Sequence, residues 1–310
     1  MQIRVVSDLN ARFEVRRFRA HISNRPPKRR YSLSFDDIPS TQPTAEGHAG
    51  HEISPLLSRH GFRHAFFHRQ GGLSLEPYSS LNFSYAVGDD SKAVADNFSR
   101  AAAVIGVPAD KLYFLEQVHE RKGVKLNGSE DHRATMFIQG DALLAEANSR
   151  DFACCVRVAD CVPILLANRD NGAVAAIHSG WRGTAMNIAG ALCAQLSDYG
   201  PGPLIACIGP HISATAFEIS EEVAAELRPL APAAKVIHEI PGARPHADLR
   251  IIIRTQLEAA GLDPADIDDL DGCTVGDPER YFSFRRDGKR SGRHLAAIAP
   301  RQSKDPSSAS

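Results

Sequence analysis

The sequence lacks the long apolar runs that would assign it to a membrane. Its longest uncharged segment, residues 199–217, is broken by glycines and prolines, so no membrane-spanning helix is predicted. The N-terminus has no apolar signal core, and we expect a cytoplasmic protein. A formal net charge of -1 gives no electrostatic reason to expect nucleic acid or an anionic membrane as a partner.

Several motifs are missing as well. The chain has no Walker loop, dinucleotide-binding fingerprint or internal repeat. Its six cysteines form no Cys-x-x-Cys pair and lie mostly in apolar runs, so reduced thiols are predicted, Cys161 being the one reactive candidate and the others core residues. The acidic cluster at residues 263–271 lacks the glycine and the spaced glutamate of a calcium loop, and we interpret it as a solvated surface turn.

The composition divides the chain into three parts. Residues 1–50 are rich in arginine and then in small and polar residues, which predicts a disordered or variable N-terminal extension; a nucleic-acid or targeting arm is the alternative. Residues 53–300 are predicted to form one folded domain, and residues 301–310 a polar tail. With 43% hydrophobic residues, the chain has ample material for a packed core.

A buried hairpin is predicted at the centre of the domain. Two apolar runs, residues 162–167 and 173–177, flank a polar connection that ends at Gly172. Cys161 lies just before the first run and His178 just after the second. Because antiparallel pairing brings these two outer ends together, the thiol and the imidazole are expected on one side of the fold.

Further elements follow from the same patterns. Strands are predicted at residues 62–68, 112–118, 140–144, 152–158, 204–208, 272–275 and 281–284, and helices at 91–105, 184–197 and 247–260, with another helix capped by Ser220. The strands outnumber the helices and do not alternate regularly with them, which favours an α+β fold over a doubly wound α/β sheet.

Three side chains at the ends of predicted strands suggest a metal site. His119, Cys161 and His178 supply two imidazoles and one thiolate, which is a donor set that zinc prefers. Three protein ligands would leave the fourth position to water or substrate, as in catalytic zinc sites. The long separations between these residues match no compact zinc motif, so the pattern alone leaves the assignment open.

The same atoms also permit chemistry without a metal. Cys161 would then be a nucleophile activated by His119 or His178, with Asp160 or Asp141 orienting the base. Both mechanisms require the thiolate. Three arginines are candidates for binding phosphate or carboxylate: Arg69 on a glycine turn, Arg182 between two glycines, and Arg285.

Ten short segments in fixed order resemble the bacterial laccase-domain family, whose members are described as polyphenol oxidases, purine nucleoside phosphorylases or peptidoglycan editing factors. They span roughly residues 55–300. The segments are residues 68–74 (HRQGGLS), 77–82 (PYSSLN), 87–90 (VGDD), 117–119 (QVH), 140–142 (GDA), 159–163 (ADCVP), 178–184 (HSGWRGT), 207–210 (CIGP), 273–274 (CT) and 282–288 (FSFRRDG).

This resemblance implies a single α+β domain with a mixed β-sandwich core and flanking helices. It implies that His119, Cys161 and His178 bind zinc, with Asp160 among the catalytic residues. Asn82 joins Arg69, Arg182 and Arg285 as a residue expected to bind substrate or phosphate. The implied activities are phosphorolysis of adenosine, inosine and methylthioadenosine, and deamination of adenosine; the oligomeric state stays open.

The chain departs from the family pattern at a few positions. Ala86 stands where a histidine is frequent, residues 213–218 lack the usual cysteine and tyrosine, and Ser179 replaces an alanine. The missing cysteine and histidine are ligands that a multi-copper site would use, so a copper-dependent phenol oxidase is the weaker alternative. The residues also allow a metal-free Cys-His hydrolase that edits cell-wall precursors, or a non-enzymatic module with structural zinc.

Overall fold

The computed structural model describes residues 49–147 and 151–301. Most of the predicted N-terminal extension and of the predicted tail lies outside these residues. The first strand already begins at His51, two residues before the predicted start of the domain. No helix in the described part of the chain is long and apolar enough to cross a membrane.

The described residues form thirteen strands and eight α-helices. The strands are β1 His51–Glu52, β2 His64–Phe67, β3 Leu112–Tyr113, β4 Gly123–Leu126, β5 Ala142–Ala145, β6 Ala153–Val158, β7 Val162–Asn168, β8 Val174–Ser179, β9 Leu204–Ile208, β10 Ile237–His238, β11 His246–Ala247, β12 Ile267–Asp269 and β13 His294–Ile298. The helices are α1 Pro55–Arg59, α2 Ser91–Ile105, α3 His132–Thr135, α4 Trp181–Ala185, α5 Ile188–Ser197, α6 Glu221–Leu227, α7 Leu249–Ala259 and α8 Phe284–Asp287.

Two mixed sheets make up the body of the fold. The first has five strands in the order β1-β2-β13-β6-β3, and the second has six in the order β12-β9-β7-β8-β5-β4. In each sheet most neighbours are antiparallel, and parallel pairing occurs at the edges, between β3 and β6, β4 and β5, and β9 and β12. A two-stranded ribbon of β10 and β11 completes the strands.

The sheets pack face to face with helices on both outer sides. One apolar cluster joins residues of both sheets, such as Val156 and Leu165, and is therefore the interior of a sandwich. A second cluster covers the outer face of the six-stranded sheet with α5, α6 and α7, and a third covers the outer face of the five-stranded sheet with α2. The predicted α+β sandwich with flanking helices is confirmed.

The central hairpin forms as predicted. Successive residues of β7 point to opposite faces, so that Leu165 contributes to the sandwich interior and Ile164 packs beneath the helices. The connection is held by Asn168, whose Oδ1 accepts the backbone N–H groups of Asp170 and Asn171. Gly172 has a φ of 85°, a left-handed conformation that glycine adopts without steric cost.

Several predicted elements are wrong in detail. The predicted helix at residues 184–197 is interrupted at Asn187, which has a φ of 55° and caps α5. The predicted strand at residues 112–118 ends at Tyr113. Of the two predicted closing strands, residues 272–275 make a single bridge from Cys273 to His211, and residues 281–284 form no strand, since Phe284 begins the helical turn α8.

Two other features differ from the prediction. The sequence patterns did not predict β13, although it pairs with β2 on one side and β6 on the other. The acidic cluster at residues 263–271 is more than a surface turn, because it contains β12. Asp268 accepts hydrogen bonds from the Ser54 hydroxyl and the Leu56 N–H group, which ties this edge strand to α1.

Candidate metal centre and its cavity

His119, Cys161 and His178 meet at one end of the sandwich. Their ligand atoms lie within 4.8 Å of one another, and no other group of three or more His, Cys, Asp or Glu side chains in residues 49–147 and 151–301 has such spacing. The Cys161 Sγ lies 3.8 Å from the His119 Nε2. The rings of the two histidines are nearly perpendicular, with centroids 4.8 Å apart.

Strand register brings Cys161 and His178 together. His178 lies within β8, opposite Pro163 of β7, and Cys161 immediately precedes β7. The chain crosses from β6 to β7 in the short segment at residues 159–161. Within it Asp160 has a φ of 85°, and its carbonyl accepts the N–H group of Ile212.

His119 reaches the cluster through a turn built on Asp141. The Asp141 carboxylate accepts backbone N–H groups from Val118 (3.3 Å), His119 (2.9 Å) and Glu120 (2.7 Å). His119 itself has a φ of 63°, a conformation that costs energy in a residue with a Cβ. The three hydrogen bonds to one carboxylate hold the backbone in this conformation.

The same carboxylate orients the second histidine. Oδ1 of Asp141 lies 2.8 Å from Nδ1 of His178, and both side chains are buried. With Nδ1 engaged as a donor, Nε2 of His178 is left to face the cluster. Burial raises the pKa of Asp141, but the hydrogen bonds from His178 and the backbone outweigh it, and the pKa lies below its usual value.

The thiol and the buried imidazole favour opposite charges. Burial raises the pKa of Cys161, but His178 and His119 outweigh it and lower the pKa to about 6. Burial lowers the pKa of His178, and the neighbouring Cys161 and Asp141 outweigh it and raise the pKa to about 9. The site therefore favours the thiolate, the form that binds a metal.

The cluster fits a zinc ion. In a tetrahedral site, Zn–S of about 2.3 Å and Zn–N of about 2.0–2.1 Å hold sulfur and nitrogen about 3.6 Å apart, close to the observed 3.8 Å. Gly180 leaves room for the ligands, since a Cβ there would lie 2.9 Å from Cδ2 of His119 and 3.1 Å from Sγ of Cys161. Three ligands leave one tetrahedral position for another molecule.

A cavity of about 560 Å³ opens beside the cluster. This volume suits a small organic molecule. Its lining includes the aromatic side chains of Phe217 and Phe284 and three arginines, Arg157, Arg285 and Arg293. The cavity thus offers flat apolar surfaces and positive charge next to the three ligands.

Two further residues predicted for the site belong to this cavity. Asp160 lines it, but both of its carboxylate oxygens have partners: Oδ1 accepts the Thr274 hydroxyl at 2.6 Å and Oδ2 accepts the Arg285 N–H group at 2.6 Å. Arg285 also lines the cavity, and its Nη1 donates to the carbonyl of Glu218.

The other two predicted arginines lie outside the lining of this cavity. Arg69 donates to the carbonyls of Ser79 and Pro278, both at 2.8 Å. Arg182 is exposed at the start of α4, with its guanidinium 5.2 Å from the ring centre of Trp181.

Asn82 also lies outside the cavity lining, and it is fully buried. Its Nδ2 donates to the carbonyl of Ser84 and to the carboxylate of Asp89, and its Oδ1 accepts the N–H groups of Ser84 and Arg293. Its observed contacts thus hold two cavity-lining residues, Ser84 and Arg293.

The sequence interpretation missed much of the cavity wall, including Arg157, Phe217, Phe284 and Arg293. Only Arg157 gave a signal, because it is the one charged residue in the apolar run at residues 152–158, close to Asp160 and Cys161. Arg293 precedes a strand that was not predicted. Phe217 comes from a segment without a regular pattern, and Phe284 lies in the motif at residues 282–288, in which only Arg285 was predicted to bind substrate or phosphate.

The part of the chain that matches known proteins contains all ten of the sequence segments. Residues 63–301 match the family model described as multi-copper polyphenol oxidoreductase laccase. The chain belongs to this family. The resemblance inferred from the ten segments is thereby confirmed.

Relatives within the family carry the name of a nucleoside enzyme. A purine nucleoside phosphorylase of Deinococcus radiodurans is 36% identical over 237 residues, which cover 76% of this chain and 88% of the relative. The purine nucleoside phosphorylase YfiH of Escherichia coli K12 is 35% identical over 232 residues, which cover 74% and 90%.

Solved structures of the family share the fold. The crystal structure of YlmD from Geobacillus stearothermophilus superposes with a TM-score of 0.74 at 31% identity, covering 84% of this chain and 98% of YlmD. The family sandwich is therefore present over nearly the whole described chain.

Proposed function

We propose that this protein is a zinc-dependent enzyme of purine nucleosides. It cleaves adenosine, inosine and methylthioadenosine with phosphate and deaminates adenosine. The observation that carries the proposal is the cluster of His119, Cys161 and His178, three ligands of catalytic zinc type at the wall of a cavity of nucleoside size. The names of the relatives support the same substrate class.

The three ligands would hold the zinc ion through Nε2 of each histidine and the thiolate of Cys161. When bound in such a site, zinc supplies a Lewis acid and lowers the pKa of a coordinated water to about 7. Asp141 fixes the tautomer of His178 and the backbone at His119, so both imidazoles are oriented before the ion arrives.

The cavity has suitable groups for each part of a nucleoside. Phe217 and Phe284 offer aromatic faces on which a purine stacks. The guanidinium of Arg285 lies over the Phe217 ring, 5.3 Å from its centre, which places positive charge next to this aromatic side chain. In phosphorolysis a phosphate oxygen bonds to the anomeric carbon and the carbon–nitrogen bond to the base breaks; the purine leaves with the electron pair and takes a proton from solvent.

Asp160 has a positioning role in this proposal. Its two oxygens accept hydrogen bonds from Thr274 and from the N–H group of Arg285, so the carboxylate joins Cys161 to the start of α8. A substitution here would displace Phe284 and Arg285 relative to the metal ligands. Arg69, Asn82 and Arg182 remain predicted binding residues, with no support from the lining of this cavity.

A metal-free Cys-His hydrolase is the second candidate. The distance of 3.8 Å from Cys161 Sγ to His119 Nε2, and a thiol pKa of about 6, would suit a nucleophile and its base. The copper phenol oxidase has less support, because the described residues hold one three-ligand cluster, whereas multi-copper chemistry needs further ligands.

One experiment distinguishes these functions. Zinc-loaded protein is incubated with adenosine, with and without phosphate, and the products are separated by chromatography. We expect adenine and ribose phosphate only with phosphate, and inosine in both cases. Cys161→Ala should lose both zinc and turnover, whereas Cys193→Ala, buried in α5, should keep them.

Three results would contradict the proposal. The first is zinc-loaded protein that forms neither product. The second is Cys161→Ala protein with unchanged turnover. Full activity of wild-type protein in a metal chelator would instead favour the Cys-His hydrolase, and cleavage of a serine-containing muropeptide would then identify its substrate.

A further inference from the structure

Two arginines of the cavity wall form no ion pair with a carboxylate of the described residues. Arg157 comes from β6, and Arg293 immediately precedes β13. The ion pairs formed among residues 49–147 and 151–301 include neither of them. Cations removed from bulk water without a counter-ion are costly, and proteins keep them where an anion binds.

Strand pairing brings the two arginines to the same end of the five-stranded sheet. Leu295 of β13 lies opposite Arg157, and Arg293 is two residues before Leu295, so both arginines extend from the same face of the sheet. On that face β6 continues inward with Cys155 and Ala153, which pack in the cluster under α2. The two cations thus lie where this apolar face of the sheet ends at the cavity.

Protein contacts hold each guanidinium but leave donors unused. Arg157 donates from Nη2 to the carbonyl of Leu115 and lies 4.3 Å from the ring centre of Phe114. Arg293 donates from Nη1 to the carbonyls of Ser291 and Gly292, both at 2.8 Å. Nε of Arg157 is buried, and no hydrogen-bond acceptor within the described ranges faces it.

Amide side chains fix the backbone at both arginines. The Gln117 side chain makes two hydrogen bonds to the backbone of Arg157. Its Oε1 accepts the Arg157 N–H group at 2.8 Å, and its Nε2 donates to the Arg157 carbonyl at 2.7 Å. Oδ1 of Asn82 accepts the Arg293 N–H group at 2.9 Å. Such anchoring positions the side chains before a ligand arrives, which is what an oxyanion site requires.

The charge of the pair is consistent with an anion as occupant. Burial lowers the pKa of Arg157 to about 10, and the nearby Arg293 acts in the same direction. Burial also lowers the pKa of Arg293, against the opposing influence of Cys161 and Asp160. A bound anion would relieve the mutual repulsion of the two guanidinium groups.

We infer that Arg157 and Arg293 form an oxyanion subsite that binds the phosphate co-substrate. The inference rests on the proposed function and adds the residues that hold phosphate. Each guanidinium presents planar N–H donors to a tetrahedral oxyanion. The subsite shares one cavity with the three metal ligands, so phosphate and nucleoside can be held there together.

The test measures phosphate binding directly on the zinc-loaded protein by calorimetry, independently of turnover. We expect Arg157→Met and Arg293→Met each to weaken binding of inorganic phosphate by about 10-fold or more, and the double variant to abolish it, with zinc content unchanged. Arg157→Lys and Arg293→Lys keep the positive charge but lose the planar pair of guanidinium N–H donors. These variants should bind phosphate with intermediate affinity. If a methionine variant does not fold, the phosphate affinity of the lysine variants is compared with that of wild type instead.

Arg63→Met is the matched control. Arg63 also donates to a backbone carbonyl, that of Gly106, but lies outside the cavity lining, so its loss should leave phosphate affinity unchanged. Where turnover is measured, the KM for phosphate should rise more than the KM for the nucleoside.

The outcomes separate this inference from the proposed function. Nucleoside phosphorolysis with unchanged phosphate affinity in the methionine variants would overturn the inference alone. Phosphate binding that depends on both arginines, in a protein that cleaves no nucleoside, would support the inference and contradict the proposed function. A third outcome concerns adenosine 5′-monophosphate. If it binds through the same arginines, and more tightly than phosphate does in the presence of adenosine, the subsite belongs to a nucleotide and the inference is overturned.

Discussion

The carboxylate of Asp141 and the imidazole of His178 are joined by a hydrogen bond of 2.8 Å in the interior of the protein. The other contacts of this carboxylate are the backbone N–H groups of residues 118–120, which carry His119. A single buried side chain therefore orients two of the three metal ligands. Asp141 is a positioning residue, and its loss should be visible in metal affinity.

We expect Asp141→Asn to weaken zinc binding by about 10- to 100-fold, the usual effect of losing such a partner. The amide cannot accept from His178 and from three N–H groups as a carboxylate does. Competition with a chromophoric chelator measures the affinity. Asp268→Asn is the control, because Asp268 also accepts from a hydroxyl and an N–H group but is remote from the metal ligands. Equal affinities in wild type and Asp141→Asn would contradict the assigned role.

Gly180→Ala should reduce zinc affinity without unfolding the protein. The added methyl group would lie 2.9 Å from His119 and 3.1 Å from Cys161, so at least one ligand must move. Gly183→Ala, in the same helical segment, meets only ordinary contacts of 3.4 Å or more and should bind zinc normally. Zinc stoichiometry after dialysis and thermal unfolding of both variants check this prediction. Equal zinc content in Gly180→Ala and Gly183→Ala after dialysis would contradict the prediction.

Asn82→Ala should lower both stability and phosphate affinity. The substitution leaves buried donors and acceptors without partners, and each such group costs about 1–3 kcal/mol. It also frees the backbone of Arg293, which Asn82 holds at 2.9 Å. Chemical denaturation and phosphate calorimetry measure the two effects. Asn171→Ala in the central hairpin should lose stability alone, and unchanged phosphate affinity in Asn82→Ala would argue against a role in holding Arg293.

Acid should destabilise the protein through two buried histidines. Burial lowers the pKa of His211 and of His294 to about 4, whereas both titrate near about 6.5 in the unfolded chain. The unfolded state therefore binds more protons between these values. The contribution of each neutral histidine to the free energy of unfolding is complete above pH of about 6.5 and is lost as the pH falls towards 4. At pH of about 5, each histidine has lost about 2 kcal/mol of this contribution.

The measurement is urea denaturation at pH 7.5 and pH 5, with zinc removed by chelator in both samples. His211→Gln and His294→Gln cannot protonate, so each should lose less stability on acidification than wild type does. The difference between wild type and variant isolates these histidines from the metal ligands. Identical pH dependence in all three proteins would contradict the prediction.

Local chemistry explains what could be predicted from the sequence. The hairpin of β7 and β8 has an apolar pattern and a glycine in its connection, and α2 has a capping Asp90 and a terminal Gly106. These signals lie within a few neighbouring residues. The meeting of Cys161 and His178 followed directly from the hairpin.

Tertiary contacts explain what could not be predicted. The chain between Tyr113 and His119 makes one bridge, from Glu116 to Gln139, and its end at Val118 is bound by the carboxylate of Asp141. Arg157 and Arg293 become neighbours only when β13 pairs with β6, and these two strands are far apart in the sequence. The sequence therefore predicted Arg285 in the cavity wall but not the proximity of Arg157 and Arg293.

The two halves of the cavity belong to different sheets. Cys161 and His178 lie on the six-stranded sheet, and Arg157 and Arg293 extend from the five-stranded sheet. The two sheets meet across a shared apolar interior, where side chains such as Leu165 and Val156 pack, and the spacing of the sheets contributes to the distance between the arginines and the metal ligands. A methyl group removed deep in that interior would draw the sheets together and shift the reaction rate, although no atom of the cavity had changed.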